Sequence, residues 1–140
     1  MNDNFFIDTN IFVYSVLPAE AQKRVHALDL IDRAISTGKG VISYQIVQEF
    51  LNVAIRHYAQ PMSIAECEEY LSTVFRPLLA VHSSQSLYIH ALNLTRRHSL
   101  SWYDSLIVAA ALEANCRILY TEDLQHGQKF SDLRVVNPFA

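Results

Sequence analysis

Short, continuously apolar runs alternate with amphipathic stretches along this chain, and that alternation leaves few folds open. Asn4 to Ile7, Val41 to Ser43, Leu78 to Val81 and Arg117 to Tyr120 read as strands, with Arg134 to Val136 as a fifth. The first helical stretch, Asn10 to Leu17, is stopped by Pro18. Ala19 to Thr37 forms a long amphipathic helix with Val25, Leu28, Ile31 and Ile35 on one face, ended by Gly38 and Gly40. Gln45 to His57 follows, with Ile46, Phe50 and Val53 at helical spacing, and Pro61 breaks it. Ser63 caps another helix, with Glu66 in the capping-box position. Ser83 or Ser84 opens a helix to about His98, and Ser101 caps Trp102 to Ala114, apolar enough to be deeply buried. Strands that read as unbroken apolar runs are buried on both faces. The fold class is therefore α/β: one domain over residues 1–140, with a short, mostly parallel sheet of four to five strands covered by helices on both faces.

Composition limits what such a domain can do. Of 140 residues, 51% are hydrophobic and 18% charged, enough for a packed core. The formal net charge is −3, whereas a protein that coats nucleic acid by bulk charge is basic. A nucleic-acid partner would need its phosphate held by something else, such as a metal ion. The N-terminus lacks the basic region of a signal peptide, and the longest apolar stretch, Leu106 to Leu112, is too short for a membrane span. Cys67 and Cys116 have no metal-binding spacing and read as reduced thiols of a cytoplasmic protein.

Ligands of parallel sheets bind outside the carboxyl ends of the strands. Asp8 ends the first strand and Asp123 follows the fourth. Glu49 lies early on the helix that leaves the second strand, and Asp104 opens the helix that feeds the fourth. Four acids far apart in sequence should thus converge at one end of the sheet. Each also has a plain structural reading. Asp8 can cap the next helix, Asp104 can complete a capping box, Asp123 can be a turn residue before Gly127, and Glu49 can be solvated. Together the acids point elsewhere, because two like charges about 4 Å apart repel by about 4 kcal/mol at an effective dielectric of 20. No Lys or Arg lies within four residues of Asp8, Glu49 or Asp104. A divalent cation is the economical counter-charge. Carboxylates and hydroxyls suit Mg2+ or Mn2+, and the six scattered histidines do not suggest zinc.

Four pieces of sequence carry a resemblance over essentially the whole chain: Phe6-Ile7-Asp8-Thr9-Asn10, Glu49 on the third helix, Trp102-Tyr103-Asp104-Ser105, and Leu119-Tyr120-Thr121-Glu122-Asp123-Leu124. In this order they resemble the PIN-domain nucleases, and among them the VapC-like toxins of prokaryotic toxin–antitoxin pairs. The resemblance implies an endoribonuclease dependent on Mg2+ or Mn2+, with Asp8, Glu49, Asp104 and Asp123 as catalytic, metal-binding acids. It implies that Thr9, Asn10 and Thr121 support the metal shell. Glu122 is adjacent to Asp123 and would replace it if the strand ended one residue earlier; the order of the motif favours Asp123. The resemblance further implies an RNA substrate, a homodimer and a small antitoxin that blocks the site. Apolar helix faces, including the segment from Ser63 to Phe75, are the expected dimer contact.

Other residues carry two readings each. Trp102 can stack a base, though packing against the sheet is the commoner use of a tryptophan. Arg96, Arg97 and His98 can touch phosphate or balance a helix end. His126 and Lys129, just past Asp123, are candidate phosphate or transition-state contacts. The competing functions are a phospho-accepting receiver-type signalling module and a catalytically silent PIN-like domain that only binds RNA. A receiver would want an acceptor Asp at the end of the third strand, where Val81-His82 stands, and a Lys after the fourth. A dehalogenase-like phosphatase would want Asp at position 10, where Asn10 stands.

Overall fold

The computed structural model describes residues 3–16, 20–56 and 61–140. Leu17, Pro18, Ala19 and His57, assigned above to helix ends, lie outside the described residues. The elements are β1 (Phe5–Ile7), α1 (Thr9–Val16), α2 (Ala21–Thr37), β2 (Gly40–Ser43), α3 (Tyr44–Arg56), α4 (Ile64–Tyr70), a wide π-helical turn (Leu71–Phe75) leading into α5 (Arg76–Leu78), β3 (Leu79–Val81), α6 (Gln85–His98), α7 (Trp102–Glu113), β4 (Ile118–Tyr120), β5 (Lys129–Phe130) and β6 (Leu133–Val136). The sheet order is β3-β2-β1-β4-β6-β5, parallel throughout except for β5 against β6. β5 has only two residues, too few to leave a periodic signal, so the sheet has six strands among the described residues where the sequence suggested four or five.

This order positions the functional end. The chain moves outward from β1 to β2 to β3, then returns across both to β4 through α6 and α7. Right-handed crossovers taken in opposite directions put their helices on opposite faces of the sheet. β1 lies where the direction reverses, between β2 and β4, and a crevice opens above it. All three residues of β1 are buried. α7 is apolar all round, with Ser105 through Ala111 buried without a break, as a helix enclosed on every side must be. Across the sheet, Phe12, Phe50, Tyr70 and Phe75 interlock, with Phe50 and Tyr70 stacked at 4.6 Å.

α2 departs from the sequence reading. Val25 and Leu28 are 66% and 46% exposed, and Ile35 also faces outward. The buried face is Ala27, Leu30, Ile31 and Ala34. Small residues win because α2 crosses β2 at close range: a Cβ added to Gly40 would lie 2.2 Å from the Ala34 Cβ. Gly40, read above as a helix stop, begins β2 and serves close packing; Gly38 ends the helix, at φ +70°. The Ser63–Glu66 capping box is present in both its bonds, and Ser84 caps α6. Cys67 and Cys116 are free and buried, and burial raises both thiols, Cys116 to about 12. No helix among the described residues is long and apolar enough to cross a membrane.

Candidate functional site

A cleft of about 310 Å³ opens above β1, with Asp8, Glu49, Asp104 and Asp123 on its wall. Asp8 follows β1 directly and is buried. Its Oδ1 accepts the Thr9 backbone N–H at 2.7 Å and its Oδ2 accepts the Thr121 hydroxyl at 2.7 Å. Glu49 comes from the second turn of α3, where its Oε1 accepts the Thr9 hydroxyl at 2.7 Å. Thr121 also accepts the Asp123 backbone N–H at 3.0 Å, which folds the chain after β4 back over the cleft. Asn10 Nδ2 reaches Asp123 Oδ2 at 3.5 Å. Asp104 stands in the first turn of α7, and its backbone N–H donates to the Ser101 hydroxyl at 3.2 Å. The cap thus engages the Asp104 main chain, and the residue lines the cleft.

Burial dominates the electrostatics. It pushes the Asp8 carboxyl up to about 6 against the two hydrogen bonds that lower it, and Asp123 and Glu49 add to the rise. The Asp123 carboxyl is also raised, first by desolvation and then by Asp104, Glu122 and Glu49. No basic side chain lines the cleft among the described residues. The donors are all oxygens, or an amide that can turn its oxygen inward, the chemistry of a hard divalent cation. Among the described residues no three Asp, Glu, His or Cys side chains are close enough together to hold an ion as they stand. The acids share a cleft without forming a closed cage, and Thr9, Thr121 and Asn10 hydrogen-bond the carboxylates of Glu49, Asp8 and Asp123.

Glu122 takes no part in this wall. Lys23 Nζ donates to its Oε2 at 3.0 Å and the Tyr14 hydroxyl donates to its Oε1, so it ties the end of β4 to α1 and α2. The chain bends directly after β4, with the Asp123 N–H held by the Thr121 hydroxyl, so Asp123 lines the cleft while Glu122 faces Lys23 and Tyr14. His126 and Lys129 also turn elsewhere. His126 Nδ1 accepts the Asn137 backbone N–H at 3.0 Å, and Lys129, paired with Arg134 in β5, lies towards the start of β4 at the far end of the sheet. The chain reverses between Asp123 and β5, carrying Lys129 away from the acids. His98 packs edge-on against Phe130 at 5.0 Å, and Arg96 Nη2 donates to Asn93 Oδ1 at 2.7 Å, so two of the three basic residues ending α6 have local partners. Trp102 packs edge-on against Tyr88.

Sequence reasoning passed over Gln45, Asn52 and Tyr103, which also line the cleft. Gln45, Glu49 and Asn52 form an i, i+4, i+7 polar stripe on α3, a periodic signal that was available. Gln45 Nε2 donates to the Tyr103 carbonyl at 3.3 Å, joining α3 to α7 across the rim. That contact has no local signature.

A sequence model of the PIN domain matches residues 5–130. No curated protein matches the chain in sequence. A chain of a toxin–antitoxin complex from Klebsiella pneumoniae is similar, with a TM-score of 0.67 and 18% identity, over 96% of this chain and 98% of that one. VapC20 of Mycobacterium tuberculosis, described as a toxin that cleaves the sarcin–ricin loop, gives 0.64 and 19% over 86% and 90%. A chain of FitAB bound to a DNA fragment gives 0.67 and 15% over 97% and 96%. At these identities the likeness is one of fold.

Proposed function

Since the chain belongs to the PIN domain family, we propose that it is an endoribonuclease dependent on Mg2+ or Mn2+, acting as the toxin of a toxin–antitoxin pair. The observation that carries this reading is the acid-lined cleft above β1, to which four separate segments contribute a carboxylate and none a cation. Asp8, Glu49, Asp104 and Asp123 would hold the metal. When bound, the metal supplies charge neutralisation for a phosphodiester and activation of water. Thr9 orients two acids at once, through its N–H to Asp8 and its hydroxyl to Glu49. Thr121 fixes Asp8 by its hydroxyl and sets the chain path of Asp123. Asn10 steadies the Asp123 side chain. With Asp8 buried and raised to about 6, a bound cation would favour its ionised form.

The likeness to a chain of a toxin–antitoxin complex supports a toxin with an antitoxin partner, and the likeness to VapC20, which cleaves the sarcin–ricin loop, supports RNA as the substrate. Homodimerisation is part of the same proposal, and the exposed Ile64 and Leu71, at 63% and 40%, offer apolar surface in the expected segment. Action in the cytoplasm belongs to the same proposal, as the compartment where RNA and an antitoxin would be met. The test is cleavage of varied single-stranded and loop RNAs by purified protein with Mg2+ or Mn2+, beside an Asp8→Asn variant prepared identically. Cleavage by the wild type, abolished by EDTA and by the substitution, is expected. Equal cleavage by both proteins would assign the activity to a contaminant and remove the site.

A further inference from the structure

A second cavity of about 240 Å³ adjoins the acidic cleft, and the two share Gln45 and Tyr103 as a common wall. The Gln45–Tyr103 hydrogen bond is the partition between them. Aromatic rings surround the cavity in two pairs, Tyr44 with His82 at 4.9 Å and Tyr88 with Trp102 at 5.9 Å. Tyr44 and Tyr88 are 40% and 43% exposed, and polar Ser43, Gln45, Gln48 and Ser83 share the cavity wall with them.

Ser43 lies on this wall. It is 4% exposed, and its Oγ is the one buried side-chain oxygen or nitrogen among the described residues without a hydrogen-bond partner. A buried hydroxyl left unpaired is costly, and folds rarely keep one without use. The local backbone is irregular as well. Ile42 pairs with Leu79 but Ser43 pairs with Val81, so Ala80 is an extra residue on β3. Such bulges re-aim side chains beside functional sites.

Resting on the nuclease reading above, we propose that this cavity seats one unstacked nucleobase of single-stranded RNA beside the scissile phosphodiester, and so sets base preference. The rings supply stacking faces. The Ser43 hydroxyl and the Gln48 amide supply donors and acceptors for the edge of the base. The net charge of −3 fits this division of labour, since with little bulk charge to bind RNA, stacking of bases can add to what a metal contributes at the phosphate.

Trp102 is the only tryptophan in the chain, so its emission reports the cavity directly. The four ribonucleosides, which carry no phosphate for the acids to repel, are titrated against the full chain, with ribose as the baseless control. One nucleoside should quench Trp102 saturably and bind roughly fivefold or more tightly than the poorest. Ser43→Ala and Gln48→Ala should erase most of that preference. In parallel, oligoribonucleotides differing at one base around the cut are compared with Mg2+ present. A single position should dominate, and its preference should shrink in the same variants. Cleavage that ignores base identity, or a preference unchanged in both variants, overturns the cavity and leaves the nuclease standing. Selective nucleoside binding without cleavage of any RNA removes the nuclease and keeps a base-binding pocket. Neither selective binding nor cleavage removes both.

Discussion

The Thr9 hydroxyl donates to Glu49 Oε1 at 2.7 Å, across forty residues of sequence, while the Thr9 main chain donates to Asp8. One residue thus orients two acids. Thr9→Val keeps the shape and removes the hydroxyl. The expected result is a 10–100-fold loss of metal affinity or cleavage rate, the usual effect of losing a group that orients ligands. Titration of Mg2+ by thermal shift, with cleavage assays alongside, measures it. An unchanged rate and affinity would leave Thr9 a helix-start residue.

The adjacent acids after β4 should behave oppositely. Asp123→Asn should cost most of the activity, because Asp123 lines the cleft. Glu122→Gln should leave activity within a few-fold and lower the melting temperature, because Glu122 holds Lys23 and Tyr14. Ranking the two variants by activity and by melting temperature gives two independent orders. A larger activity loss from Glu122→Gln would show that the strand end is shifted by one residue in the active protein.

Asp8 gives a pH signature in the metal-free protein. Its carboxyl is raised by burial from an ordinary 3.8 to about 6 in the fold. Between those values the folded chain holds a proton that the unfolded chain has lost, so stability falls as pH rises through the interval. By linkage the full loss is about 3 kcal/mol. Urea titrations in EDTA from pH 4 to 7 should show the decline, and Asp8→Asn should remove it and be the more stable protein at pH 7. A wild-type stability that climbs across this range would contradict the assignment.

Asp104 separates a helix cap from an electrostatic role. Asp104→Asn keeps the backbone bond to Ser101 and removes a charge that acts on Asp123. In EDTA the variant should melt higher than wild type. It should also lose most of the Mg2+ stabilisation, which for wild type is about 2.7 kcal/mol at a hundredfold excess over Kd. A variant that melts lower in EDTA yet gains as much from Mg2+ would confine Asp104 to the helix dipole, worth about 0.3–1 kcal/mol.

The close crossing of α2 on β2 predicts a paired effect. Gly40→Ala places a methyl 2.2 Å from the Ala34 Cβ and should cost about 1–3 kcal/mol. Ala34→Gly alone should cost about 1 kcal/mol of helix propensity. The double variant should lose less than the sum, and a denaturation cycle measures the coupling. Strict additivity would mean that the helix shifts freely to make room.

Where the sequence spoke through periodicity or caps, it was legible. The parallel α/β sheet, the buried α7 and the Ser63 and Ser84 caps follow from patterns that neighbouring residues repeat. Strand order placed Asp8, Glu49, Asp104 and Asp123 at one end, and one cleft takes all four; their chemistry there is the proposal above. The buried face of α2 was misread because large apolar residues outweigh alanines in any pattern, whereas the Gly40 crossing selects alanine. Lys129 was misplaced because a two-residue strand carries the chain away without announcing itself. Ser43 was silent for a different reason: an unpaired hydroxyl is a property of three-dimensional surroundings.

Asp8 meets Thr121 only across 113 residues of chain. Ribosomes add roughly 5–20 residues per second, so the first acid waits about 6–23 s for the residue that fixes it. Through that interval a nascent chain carries β1, α3 and even α7, but neither the central neighbour β4 nor the fourth carboxylate. The four-acid cleft therefore cannot exist in a fragment that ends before β4. On the nuclease reading proposed above, the order of the strands withholds the acid-lined cleft until synthesis is nearly complete.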